Sequence, residues 1–481
     1  MGRSVSRVCT ESSPAGFGWR FCTPLLVGAT LNPINSSLIA TAIVPIAGAM
    51  GVSVGRSAVL VSALYVATAI AQPTAGKLSE VFGARRVFLA GLLAVVAGGL
   101  VGGFGSSLGV LVAARVLIGV GTSSAYPAAM LLIQRRAARG GLTEPPGKVL
   151  GGLVIAGTVT AAAGLPIGGV LVGAWGWQST FLINVPVGLA AIAITLAWIP
   201  AERTTAQRQA LPRTLAAIDI VGVAGFGGTL SALLVFLLSW PHPRWVALGL
   251  AVALGGGLLW WELRVSAPFL DVRMLIRTPA LVRTYLRFAL TTMSMYCVLY
   301  GVTQWLQAGR GVSAKTTGLL LLPMTGLAAL IAQPVAARNA LRAPLIAAGV
   351  ACLIGSIGTL LLSSDSPIVW VLVVTLIFGI ALGTTTSANQ TALYTQVPSE
   401  QIATASGLLR SCGYIGSIAA AAVISVAFHS AVTDQGLHTM AWILVGVSVI
   451  GVAALALDPI VVPRPGQTSS TQPARSKAQT T

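Results

Sequence analysis

The chain has 481 residues, 55% of them hydrophobic and only 8% charged, with a mean hydropathy of +0.87. Soluble domains carry about 25% charged residues, so composition excludes a soluble enzyme or binding module and points to an integral membrane protein. The net charge of +18 would suggest nucleic acid in a soluble protein, but here the basic residues sit between apolar runs, where topology explains them and no nucleic-acid partner is expected.

Arg3, Arg7 and Arg20 precede the first apolar run, Phe21 to about Met50, which is too long for a signal-peptide core and is kept as an uncleaved first span. A helix needs about 20 mostly apolar residues to cross a bilayer. Runs of that kind predict fourteen spans, near 21–46, 57–76, 87–107, 108–132, 149–173, 180–199, 217–239, 245–262, 284–306, 317–336, 344–363, 368–393, 408–428 and 438–457. Of the 29 Lys and Arg residues, only Arg56, Arg244, Arg310 and Lys315 then fall on the side opposite the N-terminus, and Arg115 falls inside a span. The positive-inside bias therefore predicts both termini in the cytoplasm. Arg greatly outnumbers Lys and Ala, Gly and Val abound, a composition that suggests a G+C-rich bacterial genome and hence the bacterial cytoplasmic membrane.

The string "IAQPTAGKL" begins at Ile70, and "IAQPVAARN" begins at Ile331. Both copies end a predicted span at a cytoplasmic basic turn, the first at span 2 and the second at span 10. A parallel repeat of this kind is a known transporter plan, and an eight-span offset implies six spans per half with two more inserted between them. The expected organisation is a cytoplasmic N-terminal tail (1–20), an N-terminal six-helix bundle (21–200), two inserted spans (217–262), a cytoplasmic linker (263–283), a C-terminal six-helix bundle (284–457) and a polar, Pro/Ser/Thr-rich disordered tail (458–481). Cys9, Cys22, Cys297, Cys352 and Cys412 have no metal-ligand spacing and read as small apolar residues.

Five stretches carry chemistry or mechanics. "GKLSEVFGARRVFLAG", Gly76 to Gly91, places Glu80 among Gly76, Gly83, Arg85 and Arg86, where an acid among bases can latch helices at the cytoplasmic side. "LVAARVLIGVGTSSAYPAA" contains Arg115, Gly119 and Gly121; "AGLPIGGVLVGAWGW" contains Gly164, Pro166, Gly168 and Gly169; and "FLINVPVG" and "WELRVSAPFLDVRML" follow. These motifs resemble the loop 2–3 signature, the span 4 Arg and Gly segment, the span 5 Gly-Pro segment and the loop patterns of the major facilitator superfamily, in its fourteen-span drug exporter branch. The resemblance covers roughly residues 20 to 457. It implies an all-α major facilitator fold of fourteen helices, no enzymatic activity, no cofactor, and proton-coupled export by a monomer surrounded by membrane lipid.

A charge at the centre of a span costs about 2.5 to 3.5 kcal/mol on insertion scales, so such residues are commonly functional. Arg115 is the only basic residue placed well inside a span, and no Asp, Glu or His lies deep in one; Asn32, Asn35 and Ser36 stand in span 1, where related exporters often carry an Asp. A fixed cation without a buried acid favours a neutral or anionic substrate over a strongly cationic one. The cavity candidates are Asn32, Asn35, Arg115, Tyr126, Tyr300, Gln304 and Asn389, with Gln72, Tyr296, Gln333, Gln390 and Tyr394 beside them; helix-to-helix hydrogen bonding explains many of these equally well. Trp240, Trp245, Trp260 and Trp261 read as interface anchors. Glycines of span 5, including the pairs 164/168 and 169/173, permit close packing.

No nucleotide-binding loop, metal cluster or nucleophile with its base is present. The reading is a secondary transporter exporting hydrophobic or amphipathic small molecules by alternating access. A dedicated metabolite or nutrient carrier, coupled or uncoupled, and a non-transporting receptor or scaffold stay open beside it.

Overall fold

A chain in hydrocarbon must pair every backbone N–H and C=O within the protein, and this one does so with helices. The structure, a computed structural model, describes residues 17–141, 147–201, 219–237, 239, 242–265, 268–270, 272–337, 341–397 and 402–456, and among them there is no strand. The main helices are α1 (Trp19–Met50), α2 (Val59–Phe82), α3 (Ala84–Gly103), α4 (Leu108–Arg139), α5 (Gly147–Trp175), α6 (Asn184–Trp198), α7 (Ile220–Leu237), α8 (Trp245–Glu262), α9 (Pro279–Tyr296), α10 (Ala314–Ala337), α11 (Arg342–Leu360), α12 (Ile368–Tyr394), α13 (Ile402–Ala427) and α14 (Asp434–Ala456). Among the described residues, twelve helical segments rather than the expected fourteen are long and apolar enough to cross a membrane; α9 is not one of them, and α5 contributes a shorter apolar stretch, Val159–Trp175. Beyond Tyr296, α9 continues as π-helix over Cys297–Val302 and again over Trp305–Gly309.

The packing repeats with an offset of eight helices. α1 lies on α5, α2 on α4, and α3 on both α4 and α6; correspondingly α9 lies on α13, α10 on α12, and α11 on both α12 and α14. The same small residues recur at the crossings: a Cβ on Gly119 of α4 would lie 2.8 Å from the Leu64 carbonyl oxygen of α2, and one on Gly379 of α12 would lie 2.6 Å from the Met324 carbonyl oxygen of α10. The fold is thus two six-helix bundles plus an inserted pair, α7 and α8, which pack on each other while α7 leans on α2.

Lipid tails are as apolar as leucine, so burying apolar surface does not drive these helices together; close packing and hydrogen bonds do. α1 shows how. Pro24, Pro33 and Pro45 interrupt its ladder, while Ser36 and Ser37 bond back to the carbonyls of Asn32 and Pro33 at 2.9 and 3.0 Å. Gly164 and Gly168 let α5 reach this helix, since Cβ atoms there would lie 1.8 Å from Ser37 Oγ and 2.7 Å from the Leu38 carbonyl oxygen.

The halves meet along two symmetric seams, α2 with α13 and α5 with α10. A Cβ on Gly169 of α5 would lie 2.6 Å from the Ala314 carbonyl oxygen at the start of α10, and one on Gly55 would lie 2.8 Å from the Phe428 carbonyl oxygen beyond α13. Both approaches lie toward the end opposite the N-terminus, where the backbones of the two halves touch. The glycine pairs of α5 therefore divide their work: 164 and 168 face α1 within a half, while 169 faces the other half.

Two expectations about charged and aromatic residues change here. Arg115 is not the only buried cation: α9 begins at Pro279, five residues before the predicted start of span 9, so Arg287 lies inside the helix and is only 9% exposed. Trp261 is more than an interface anchor, because its Nε1–H donates to Asp219 Oδ1 at 2.8 Å. Asp219 also accepts from the backbone N–H of Gly222 and of Phe269, fastening the inserted pair at one end. Trp245 and Trp260, at opposite ends of α8, are more than half exposed. Cys22, Cys297 and Cys352 are buried and Cys412 is half-buried, and none of these four is in a disulfide; Cys9 lies outside the described residues.

Candidate substrate site between the halves

The site starts from one guanidinium. Arg115 on α4 is 2% exposed; its Nε donates to the Leu60 carbonyl of α2 at 3.0 Å and its Nη1 to the Asn35 carbonyl of α1 at 3.1 Å, while its buried Nη2 has no acceptor. Three helices thus hold the cation rigidly through main-chain oxygens. The next carbonyl along α1, that of Ser36, accepts from the Tyr300 hydroxyl of α9. A phenol has one proton, so the Tyr65 hydroxyl, 3.2 Å from that of Tyr300, is the donor to it.

Around Tyr65 an aromatic band crosses from one half to the other. The Tyr65 ring lies 5.3 Å from that of Tyr296 at a steep angle and 5.8 Å from that of Tyr414 in a stacked arrangement, and Tyr296 stacks on Tyr300 at 5.5 Å. The Tyr414 hydroxyl donates to Gln72 Oε1 at 2.7 Å, joining α13 to the first "IAQP" of α2. Tyr126 of α4 carries the Arg410 guanidinium of α13 over its ring at 3.9 Å. Five of the chain's seven tyrosines therefore stand where the halves touch.

Among the predicted cavity residues, Asn35, Arg115 and Tyr300 come together. Asn32 lies one turn before Asn35 and donates to Thr122 Oγ1 at 2.9 Å and Thr68 Oγ1 at 3.3 Å, joining three helices. The Asn35 side chain turns to Asn184, the first residue of α6, in a reciprocal amide pair of 2.6 and 2.9 Å. Gln304 sits between the two π-helical stretches of α9, fully buried, with neither amide atom bonded. π-Helical turns in α-helices are frequent at functional sites. Asn389 is apart from this group: its Oδ1 accepts from Arg287 Nε at 3.0 Å beside a small cavity of about 30 Å³ within the C-terminal bundle, with Thr291, Ser294 and Ser448 in its wall. That volume holds about two waters.

The proposed gating residues are spread along the N-terminal half. Gly76 has room, its nearest neighbour for a Cβ being Pro127 at 3.8 Å. Gly83 has φ of 96° between α2 and α3, a conformation L side chains rarely adopt. Arg85 Nη2 donates to the Leu196 carbonyl of α6 at 3.1 Å, and Arg86 is exposed. Pro166 lies within α5, where a Cβ on Gly318 of α10 would come within 3.3 Å of its Cα. The side chains of Glu80, Gln333, Gln390 and Tyr394, and Trp240, lie outside the described residues.

Sequence reasoning missed Tyr65, Tyr414, Asn184 and Arg287. For Tyr65 a signal existed: a hydroxyl-bearing ring in an otherwise apolar run, in the span that carries the repeat. Arg287 was hidden by its position near a predicted span end.

Residues 25–421 match the family model of the Major Facilitator Superfamily. The chain belongs to that family. It is a multi-pass membrane transporter, not an enzyme. Over 88% of its length it is 28% identical to YwoD of Bacillus subtilis, an uncharacterised transporter of the same superfamily, covering 93% of that protein. Over 87% of its length it is 28% identical to the tetracenomycin C resistance and export protein of Streptomyces glaucescens, covering 77% of it. Among solved structures, the peptide transporter POT with alafosfalin superposes with a TM-score of 0.65 at 14% identity, over 94% of this chain and 97% of that one. These relatives set a tetracenomycin C resistance and export protein beside the chain, and the superposition shows the shared fold.

Proposed function

We propose that this chain is a fourteen-span secondary transporter of the bacterial cytoplasmic membrane that exports hydrophobic or amphipathic small molecules by alternating access, driven by proton antiport. The observation that carries the reading is the contact between the halves, where glycines permit close approach and a buried tyrosine band lies beside Arg115, one of whose guanidinium nitrogens is unbonded. A buried polar group without a partner costs about 1–3 kcal/mol, so this closed packing is favoured only until the halves part or a ligand supplies the partner. Export rather than import rests on likeness to the tetracenomycin C resistance and export protein. The transporter works as a monomer in lipid, on neutral or anionic molecules.

Expression in an efflux-deficient bacterium tests this. The expected result is reduced growth inhibition by several chemically unrelated lipophilic compounds, lost in Arg115→Ala and lost when the pH gradient is collapsed. No protection against any compound, with membrane expression confirmed, overturns export and leaves a dedicated metabolite carrier. The solved nucleoside and peptide transporters that share the fold make that the second reading.

A further inference from the structure

We infer that the transported molecule is an aromatic organic anion, a carboxylate or ionised phenol on a planar ring system, with its anionic group taken by Nη2 of Arg115 and its rings by the tyrosine band. The inference rests on the export reading and names the substrate class of the same site.

Two of the three guanidinium nitrogens are spent on the neutral carbonyl oxygens of Leu60 and Asn35. Those bonds orient the cation and leave its charge uncompensated. The remaining nitrogen is buried with no acceptor, and the described partners of Arg115 include no carboxylate. A cation held this way is already desolvated and rigid, so an incoming anion meets neither the cost of ordering it nor that of removing its water.

The rings are adjacent by construction. Tyr300 bonds the Ser36 carbonyl, one residue along α1 from the carbonyl that holds Arg115. From there the ring contacts run through Tyr296, Tyr65 and Tyr414. Stacked and edge-on tyrosines at 5.3 to 5.8 Å can exchange one another for a planar aromatic guest, because such a guest offers the same offset-stacked and edge-to-face contacts. Such rings alone would also suit an organic cation. Arg115 decides against it, since its unpaired positive charge behind the band repels a second one.

The test uses the purified full chain in proteoliposomes and three probes on one skeleton: 2-naphthoate, 2-naphthamide and 2-naphthyl-trimethylammonium, with the leak through protein-free vesicles subtracted. Naphthoate is expected to exchange about tenfold faster than either of the others. Arg115→Gln removes that preference and Arg115→Lys, which keeps the charge and guards against a folding defect, retains part of it. Equal or faster exchange of the amide or the ammonium overturns the inference while export stands; exchange of none of the three overturns both.

Discussion

At the scale of single residues, the function of a polar side chain depends on which neighbour reaches it. Asn35 stands where a cavity ligand is expected, yet its amide is already engaged by Asn184 across the N-terminal half and by the Leu31 carbonyl. Asn184→Ala leaves the Asn35 amide oxygen buried without its donor, while Nδ2 keeps the Leu31 carbonyl at 2.9 Å, and should lower stability by about 1–3 kcal/mol. The double variant Asn35→Ala/Asn184→Ala should lose less than the two single changes together, because it removes both halves of the pair. Thermal unfolding in detergent measures both, and strict additivity would show the pair to be uncoupled. The residue types were readable in "LNPINSS" and "FLINVPVG"; that they find each other was not, because 149 residues separate them.

For whole helices, small residues set where the halves can touch. Gly169 meets the first turn of α10, so Gly169→Leu has no space without separating α5 from α10 at the end opposite the N-terminus. A cysteine probe placed beside Ala314 should then react faster with an impermeant thiol reagent added from the side opposite the termini, and transport should fall; an unchanged labelling rate would mean the seam closes elsewhere. Gly164→Leu is the contrast, since its obstacle is Ser37 within the same half, so it should destabilise the N-terminal bundle without exposing the seam. The GxxxG spacing predicted close packing, but only the assembled helices assign one pair to α1 and Gly169 to α10. The π-helical stretches of α9 had no counterpart in the sequence reading, because a one-residue widening of a helical turn leaves hydropathy unchanged.

For the whole molecule, orientation is the property still to be measured. Charge bias predicts both termini in the cytoplasm, and fourteen crossings require the loop between α7 and α8 outside. Reporter fusions at the C-terminus and at His242 should show activity on opposite sides of the membrane; activity on the same side would remove that crossing. Membrane class, the positions of the apolar segments, their duplication with an eight-helix offset and the burial of Arg115 all follow from the sequence, because lipid imposes one rule on every residue along a span: length, hydropathy and charge suffice to read it. Tertiary structure alone decided the pairing of Arg287 with Asn389, the amide pair of Asn35 and Asn184, and the tyrosine band. Each joins residues far apart in the chain, up to 342 positions for Tyr414 and Gln72. Hydropathy repeats within a helix, whereas the azimuth at which one helix meets another is set by packing between them.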